Sequence, residues 1–292
     1  MDIADLRVFE AVARTGGMGR AAAELNTVQS AVTARIRALE DALGVLLFDR
    51  HSRGVTLTPA GQRLLPYANR AQRLVEDARA AARDDGTPRG PLVLGSLETT
   101  AALRLSPLLA AYCAAWPEVD LTLRPGTTAE LIAEVLAERL EGAFVCGPVN
   151  HPELIEQRIF REELALMTAP GTPSAEAALA QAGLRIVVLR AGCSYRQRLE
   201  TVLAARGIVG VRLLEFGTLE AIFGSVAAGM GITLLPKGLV GPVVREGRWA
   251  VHELPPAEAR VETVFIRRRD ARLSSALAAL LDRTRPAASL VA

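Results

Sequence analysis

The chain has 292 residues, of which 50% are hydrophobic and 23% are charged, so its composition predicts about two folded domains and excludes a disordered chain. A formal net charge of +2 also excludes a protein that is basic throughout. The basicity is local, because residues 14–73 contain nine arginines against four carboxylates, a net charge of +5. We therefore expect a positive patch near the N-terminus.

Several classes of protein are excluded by the same sequence. It contains no uncharged apolar run of about 18 residues, so we expect no membrane span and no membrane partner. The acidic start at Met1–Asp5 is unlike the basic start of a signal peptide. Cys113, Cys146 and Cys193 are odd in number and far apart, which favours a reducing compartment. Three histidines without helical pairing predict no metal site. We expect a soluble, cytoplasmic protein without a cofactor.

Three short helices are predicted before residue 58. Asp2 can cap the first helix, and residues 15–17 break it. The second helix covers about residues 18–25. Residues 26–27 are predicted to form a tight connection and to supply the N-cap of the third helix, which covers about residues 28–43. Gly44 would end this third helix.

The outer face of the third predicted helix is polar. Ser30, Thr33 and Arg37 lie within about 60° of one another, opposite an apolar stripe, at 100° per residue. Gln29 lies in the first turn, and Arg35 flanks the stripe. Gln and Arg match base edges, small hydroxyls allow close approach, and Arg neutralises phosphate, so the two helices resemble a helix-turn-helix pair. A plain amphipathic surface helix is the alternative.

Residues 47–58 predict a small basic hairpin after this pair. Residues 55–58 alternate between apolar and polar side chains, and Arg50 and Arg53 fall near the tip. A basic hairpin in this place is a wing, which would contact phosphates or an adjacent groove. An ordinary solvated turn is the alternative.

A long helix is predicted from Thr58–Pro59, a capping hydroxyl followed by proline, to about Arg83. Its apolar seam has heptad spacing and comprises Gly61, Leu64, Ala68, Ala71, Val75, Ala78 and Ala82. We interpret it as a dimerisation helix; packing against its own domain is the alternative. The composition of residues 84–91 is typical of a linker.

Strands and helices alternate after the linker, which predicts two α/β units with parallel crossovers. The stretch between 148 and 184 is less regular. The predicted strands are 92–96, 119–123, 142–147, 185–189, 212–216, 232–235 and 261–267. The predicted helices are 99–115, 129–140, 195–206, 219–228 and 274–283. Ligands in such folds lie at strand C-termini and helix N-termini, in the crevice between units.

With these elements in place, the chain resembles a LysR-type transcriptional regulator over its full length. Val28 departs from the pattern, because many members have Ser or Thr there. The residues that carry the resemblance are Phe9, Ala21–Leu25, Gln29–Thr33, Ile36, Leu39–Glu40, Leu43–Gly44, Leu47–Arg50 and Leu57–Gly61. A narrower resemblance, to a subgroup with a putrescine-utilisation regulator, rests on Gly95–Ala101, Gly147–His151, Arg161–Leu164 and Gly192–Arg196.

The resemblance implies an α+β multi-domain protein that binds promoter DNA as a dimer joined by the long helix, often paired into tetramers. It implies a winged helix-turn-helix domain (1–58), a linker helix and hinge (59–90) and a two-lobed effector domain similar to type 2 periplasmic binding proteins (91–292). We expect one lobe from about 91–162 with 266–292 and the other from about 163–265. A small molecule in the cleft would change how the protein holds DNA.

Candidate effector-binding residues lie at the predicted strand-to-helix turns and at the crossing between the lobes. They are Ser96, Glu98, Thr99, Thr100, Thr128, Asn150, Cys193, Ser194, Tyr195, Arg196 and Thr218. Hydroxyls and helix N-termini favour an anionic ligand, whereas Glu98 favours a cation, so the charge of the ligand stays open. Several of these residues are equally good N-caps, and Arg196 can instead pair with Glu200 one turn on.

The sequence also bears on three other functions: a redox sensor, an enzyme and a transport binding protein. Cys193, at a helix N-terminus beside Arg190 and Arg196, is predicted to have a lowered pKa, which would suit a thiol-based redox sensor. A packed or ligand-contacting cysteine without redox chemistry is the favoured alternative. Cys113 and Cys146 are expected in the core. An enzyme is disfavoured, because the sequence has no Gly-x-Gly-x-x-Gly after a strand, no phosphate loop and no Gly-x-Ser-x-Gly elbow. A transport binding protein is disfavoured by the acidic start and the N-terminal helices.

Overall fold

A computed structural model describes residues 1–51, 54–244 and 247–289. The chain divides into two compact units, Met1–Asp85 and Gly86–Ala292. Within the described ranges no helix has the length and apolar character needed to cross a membrane, and no group of His, Cys, Asp or Glu is arranged to hold a metal ion.

Three helices build the first unit: α1 (Ile3–Thr15), α2 (Met18–Glu24) and α3 (Gln29–Leu43). Asp2 caps α1 as predicted, by accepting a hydrogen bond from the Asp5 amide in a reciprocal capping box. The predicted apolar stripes form one core, in which Phe9 and Phe48 pack with ring centroids 5.3 Å apart. Burial of these stripes fixes which face of α3 remains outside.

The predicted N-cap of α3 is wrong. Neither Asn26 nor Thr27 caps the helix, because Val28 occupies the N-cap position and provides no side-chain hydrogen bond. Asn26 instead adopts a positive φ of 52°, a conformation that asparagine tolerates, and makes the tight turn after α2. Gly44 ends α3 in the left-handed region, as predicted.

The hairpin is formed by β1 (Phe48–His51) and β2 (Gly54–Leu57), which pair in antiparallel register. Helix α4 (Pro59–Arg83) then starts at the predicted Thr58 cap. The first part of its predicted seam packs into the core of its own unit, as the alternative interpretation required. The seam residues in that core are Gly61, Leu64, Ala68 and Ala71. Tyr67 and Leu74, on the other side of α4, are 72% and 67% exposed.

A mixed sheet organises the second unit. Its strands are β3 (Gly90–Ser96), β4 (Val119–Pro125), β5 (Gly142–Gly147), β6 (Leu154–Thr168), β9 (Thr233–Pro236), β10 (Ala250–Glu253) and β11 (Arg260–Arg268). The order is β10-β6-β11-β5-β3-β4, and β9 pairs with nearly the same residues of β6 as β10 does, on the opposite edge of that strand. Strands β3, β4 and β5 pair in parallel, as predicted, whereas β6, β9, β10 and β11 pair antiparallel, which the prediction of parallel crossovers did not include.

A second, parallel sheet consists of β7 (Arg185–Leu189) and β8 (Arg212–Phe216). The hydrophobic core around this sheet is formed by residues that lie between Leu164 and Ala259 in the sequence, and Val261 packs against it. Val264 and Phe265 belong instead to the cores around β3 and β5. Strands β6 and β11 therefore cross between two lobes, each with its own core.

The helices of the second unit cover the two sheets. They are α5 (Glu98–Thr100), α6 (Ser106–Ala115), α7 (Thr128–Leu136), α8 (Ala175–Leu179), α9 (Ser194–Ala204), α10 (Leu219–Ala227), α11 (Lys237–Val244), α12 (Pro256–Ala259) and α13 (Ser275–Ser289). A π-helical turn, Ala101–Leu105, joins α5 to α6, so the helix predicted over 99–115 is irregular near its start. Helix α7 ends four residues before its predicted end at 140.

Candidate functional site

The outer face of α3 is exposed and polar. Val32, Ile36 and Leu39 are buried on its inner side. Ser30 and Arg37 are exposed on the other side, and Thr33 is half-buried. Gln29 is exposed in the first turn, and its Oε1 lies 3.2 Å from where a Cβ on Gly19 would stand, so its amide rests over α2. The structure thus brings the four predicted base-reading residues to one side of one helix.

The arginines predicted to flank this face differ in their partners. Arg35 pairs with Asp5 at 3.0 Å, and Arg50 lies 3.7 Å from Glu40. Arg53 lies outside the described residues. Arg37 has no ion-pair partner within the described part of the chain, so its guanidinium is the one that requires no rearrangement to meet an anion.

A cleft lies in the second unit where β3, β4, β7 and β8 end and the following helices begin. Its lining comprises Leu97, Glu98, Thr99, Pro125, Gly126, Thr127, Leu189, Arg190, Cys193, Ser194, Tyr195 and Gly217. The Thr127 hydroxyl caps α7 in a capping box with Glu130. Cys193 is the N-cap residue of α9. Backbone amides at these helix starts give the cleft partial positive charge.

Side chains from the two lobes are hydrogen-bonded across this cleft. Ser194 Oγ donates to Thr128 Oγ1 at 2.9 Å, and the Cys146 amide donates to the same oxygen at 3.3 Å. Thr99 Oγ1 donates to the Tyr195 hydroxyl at 3.4 Å. The cavity that remains has a volume of about 40 Å³, room for a few waters only. The cleft is therefore closed by its own polar groups.

The charged side chains of the cleft are unequally engaged. Arg196 pairs with Glu200 at 3.1 Å and with Glu215 at 2.9 Å, which is the alternative that the sequence left open. Arg190 lies 3.9 Å from Glu130. Glu98 is half-buried in the cleft wall and has no ion-pair partner among the described residues. Arg196 is thus committed to carboxylates, and Glu98 is available to a ligand.

The redox prediction for Cys193 is wrong in its physical premise. Burial raises the pKa of the Cys193 thiol, and the amides of Tyr195 and Arg196 offset this only in part. Desolvation disfavours the thiolate more than the helix N-terminus favours it. Cys146 is half-buried and its pKa is also raised by burial. Cys113, which was expected in the core, is exposed.

Six of the eleven predicted effector residues do not line the cavity, among them Thr128, which bonds to Ser194, and Arg196. Ser96 is fully buried and donates to the carbonyl of Leu97, and Thr100 is buried behind the cleft wall. Asn150 is exposed in the loop between β5 and β6, and Thr218 caps α10 at the surface. Sequence reasoning missed the apolar lining residues Leu97, Pro125 and Leu189. The position of all three at strand ends was the signal that could have identified them.

Comparison with known proteins assigns a family to both units. Residues 3–62 match the family model for bacterial regulatory helix-turn-helix proteins of the lysR family, and residues 85–289 match that for the LysR substrate binding domain. The chain is 43% identical over 285 residues to the HTH-type transcriptional regulator GltR of Bacillus subtilis (strain 168), covering 98% of this chain and 96% of the relative.

Two further similarities cover the same length. The uncharacterized HTH-type transcriptional regulator YusT of Bacillus subtilis (strain 168) is 44% identical over 98% of this chain and 96% of the relative. Full-length CbnR, solved in complex with its target DNA, superposes with a TM-score of 0.70 at 25% identity, over 98% of this chain and 100% of that one.

These relatives are regulators and not enzymes, so the helix-turn-helix prediction is confirmed and the enzyme alternative is dismissed. The narrower resemblance to a putrescine-utilisation subgroup is not supported, because the similar relatives have other names, among them GltR, YusT and CzcR. The fold prediction is also confirmed, with a helix-turn-helix domain followed by a substrate-binding domain. The chain belongs to the LysR family of DNA-binding transcriptional regulators.

Proposed function

We propose that α3 enters the major groove of promoter DNA and reads base edges with Gln29, Ser30, Thr33 and Arg37. The observation that carries this proposal is the polar outer face of α3 opposite a buried stripe, which leaves these side chains free to face a groove. Amide and guanidinium groups offer paired hydrogen bonds to base edges, and the hydroxyls permit a close approach. Arg35, Arg50 and Arg53 bind phosphates or the minor groove in this proposal.

The second part of the proposal is that a small-molecule effector binds in the cleft of the second unit. Glu98, Thr99, Cys193 and Tyr195 line the cavity, and the Thr128–Ser194 bond closes it. Because about 40 Å³ cannot hold a metabolite, the lobes must separate and these hydroxyls must exchange their mutual bonds for bonds to the ligand. Effector binding is thereby linked to the relative position of the lobes.

The third part concerns assembly and location. Tyr67 and Leu74 are seven residues apart on α4 and largely exposed, a spacing typical of a helix that packs against a second helix. We infer a dimer through α4, with pairs of dimers forming tetramers, in the bacterial cytoplasm. Analytical ultracentrifugation of a Tyr67→Glu, Leu74→Glu double variant would yield monomers if α4 is the interface, and an unchanged mass would contradict it.

The DNA proposal is tested by fluorescence anisotropy on DNA from the intergenic region beside the gene. A scrambled DNA of equal length and a salt series run alongside. Wild type should prefer the intergenic DNA with a steep salt slope. Arg37→Ala should lose about 5-fold to 100-fold in affinity and relax the preference, as expected for a base contact worth about 1–3 kcal/mol. Arg139→Ala, in the second unit, is the control and should bind as wild type.

Equal weak binding of wild type to both DNAs at physiological salt would contradict the proposal.

The cleft is tested with a metabolite screen that measures the thermal stability of the protein. A metabolite that stabilises wild type should act less on Thr128→Val, whereas Thr201→Val is the matched control, because the Thr201 hydroxyl bonds within α9 to the carbonyl of Gln197. An equal effect on both variants would place the ligand elsewhere.

A further inference from the structure

The segment Leu46–Phe48 connects α3 to the wing, and a buried carboxylate holds it from the side of α3. Glu40 is on the last turns of α3 and only 6% exposed. Its Oε1 accepts hydrogen bonds from the backbone amides of Leu47 at 2.8 Å and Phe48 at 3.3 Å. A single side chain of α3 therefore satisfies the first amides of the wing.

The start of α4 holds the same segment from the opposite side. Thr58 Oγ1 donates to the Leu46 carbonyl at 2.8 Å, and the Thr58 amide donates to the Leu47 carbonyl at 3.0 Å. At Gly61 the backbone approaches so closely that a Cβ would stand 2.2 Å from the Leu47 oxygen. The segment is thus hydrogen-bonded to both α3 and the start of α4. Because the segment leads into the wing, we expect the wing to move together with both helices.

The second oxygen of Glu40 reaches into the wing itself. Glu40 Oε2 lies 3.7 Å from Nη2 of Arg50, which is on β1 and whose side chain is 40% exposed. A negative charge at this place opposes the approach of DNA phosphates, so electrostatics alone does not favour it. Any benefit to DNA binding must therefore come from geometry, since Glu40 is the carboxylate that pairs with the Arg50 guanidinium.

We propose that Glu40 is a positioning residue for DNA binding, which anchors the wing to α3 and orients Arg50 toward the phosphate backbone. The inference rests on the proposed function, in which α3 and the wing meet DNA together. It assigns a specific task to a carboxylate that is buried in its own unit. A merely structural Glu40 would change stability and leave the affinity of the folded protein alone.

Glu40→Gln tests this proposal, because the two explanations predict opposite changes in the affinity for DNA. The amide oxygen of Gln can still accept from Leu47 or Phe48, whereas the charge beside Arg50 is lost. If only charge matters, removing a carboxylate strengthens DNA binding. Positioning predicts the opposite, a loss of about 5-fold to 10-fold, comparable to one phosphate contact. Asp41→Asn removes the same charge from an exposed neighbouring position and should bind DNA as tightly as wild type or slightly more tightly.

Arg50→Ala completes the experiment and does not depend on whether the Glu40 variant folds well. Arg50→Ala alone should weaken binding, and adding Glu40→Gln to it should change affinity less than 2-fold, because the guanidinium to be oriented is gone. Circular dichroism melts identify any variant that is unfolded. Unchanged affinity of Arg50→Ala, or Glu40→Gln binding as tightly as wild type, would overturn the inference.

Both DNAs are used, because a phosphate contact is independent of sequence. Failure of the proposed function would appear as equal affinity of wild type for intergenic and scrambled DNA. Failure of the present inference would appear as an unaltered affinity of Glu40→Gln for either DNA. The two failures are therefore distinguishable within one set of titrations.

Discussion

Gly61→Ala should destabilise the first unit, although alanine favours helices. Gly61 lies in the first turn of α4, and its amide bonds to the Thr58 hydroxyl at 3.1 Å. An added Cβ would stand 2.2 Å from the Leu47 oxygen and 2.8 Å from Leu57 Cδ2. The oxygen belongs to backbone that also accepts from the Thr58 amide, so it cannot rotate away as a side chain would.

The magnitude follows from opposing contributions. Alanine in place of glycine gains at most about 1 kcal/mol of helix propensity. Overpacking a rigid site costs about 1–3 kcal/mol, and loosening the Thr58–Leu47 hydrogen bond costs about 1 kcal/mol more. We expect a net loss of about 2 kcal/mol in the free energy of unfolding of the first unit. The displaced segment also carries the wing, so DNA affinity should fall as well.

Urea unfolding measures the effect, with Gly224→Ala in α10 as the control. Nothing lies within 4 Å of a Cβ at Gly224, so alanine there should stabilise by up to about 1 kcal/mol. Both tryptophans, Trp116 and Trp249, lie in the second unit, so their fluorescence follows the control while circular dichroism follows both units. A Gly61→Ala variant as stable as wild type would refute the close-approach argument.

Two further predictions concern titratable groups of the second unit. Cys113 is exposed, whereas burial raises the pKa of the Cys193 thiol. The reaction of the protein with the thiol reagent DTNB at pH 7.5 should therefore have a fast phase that Cys113→Ser abolishes. A fast phase that comes from Cys193 would contradict this. Burial lowers the pKa of His252, whose Nε2 lies 3.0 Å from Thr168 Oγ1. His252 is therefore protonated at a higher pH in the unfolded chain than in the folded protein. The free energy of unfolding should fall as the pH drops below about 6.5. Tryptophan fluorescence during urea unfolding at pH 7.5 and 5.5 should show this loss, and His252→Gln should reduce it.

The elements that could best be predicted from the sequence are those whose side-chain pattern depends only on residues near them in the chain. Strands 142–147, 185–189 and 212–216 have the predicted bounds, because each is a short segment rich in hydrophobic residues and bounded by turn residues. Strand β6 was missed because its first half is rich in charged residues. Arg158 and Arg161 there pair with Glu262 across the sheet at 3.0 and 3.7 Å, and a register shift at Ile159 of β6 breaks the alternation. Long-range pairing of this kind leaves no local pattern.

Five of the polar residues predicted for the cleft line the cavity, whereas its apolar lining residues were not predicted. Ser194 and Thr99 could be identified because strand-to-helix turns have a local signature, although the N-cap positions belong to Cys193 and Leu97. Leu97 and Leu189 line the same cavity, yet only the chain topology brings them together. The pKa of Cys193 was predicted in the wrong direction for a related reason, since burial depends on the packing of distant elements.

The availability of the arginines on the proposed DNA-binding face can be ordered by what each already contacts. Arg35 would have to share or leave Asp5, whose other oxygen completes the cap of α1. This exposed pair is worth at most about 1 kcal/mol, so phosphate can displace it at little cost. The partner of Arg50 is buried Glu40, which is also tied to backbone amides and cannot follow the arginine. We therefore expect Arg50 to meet DNA from beside Glu40, whereas Arg35 can leave Asp5 to follow a phosphate.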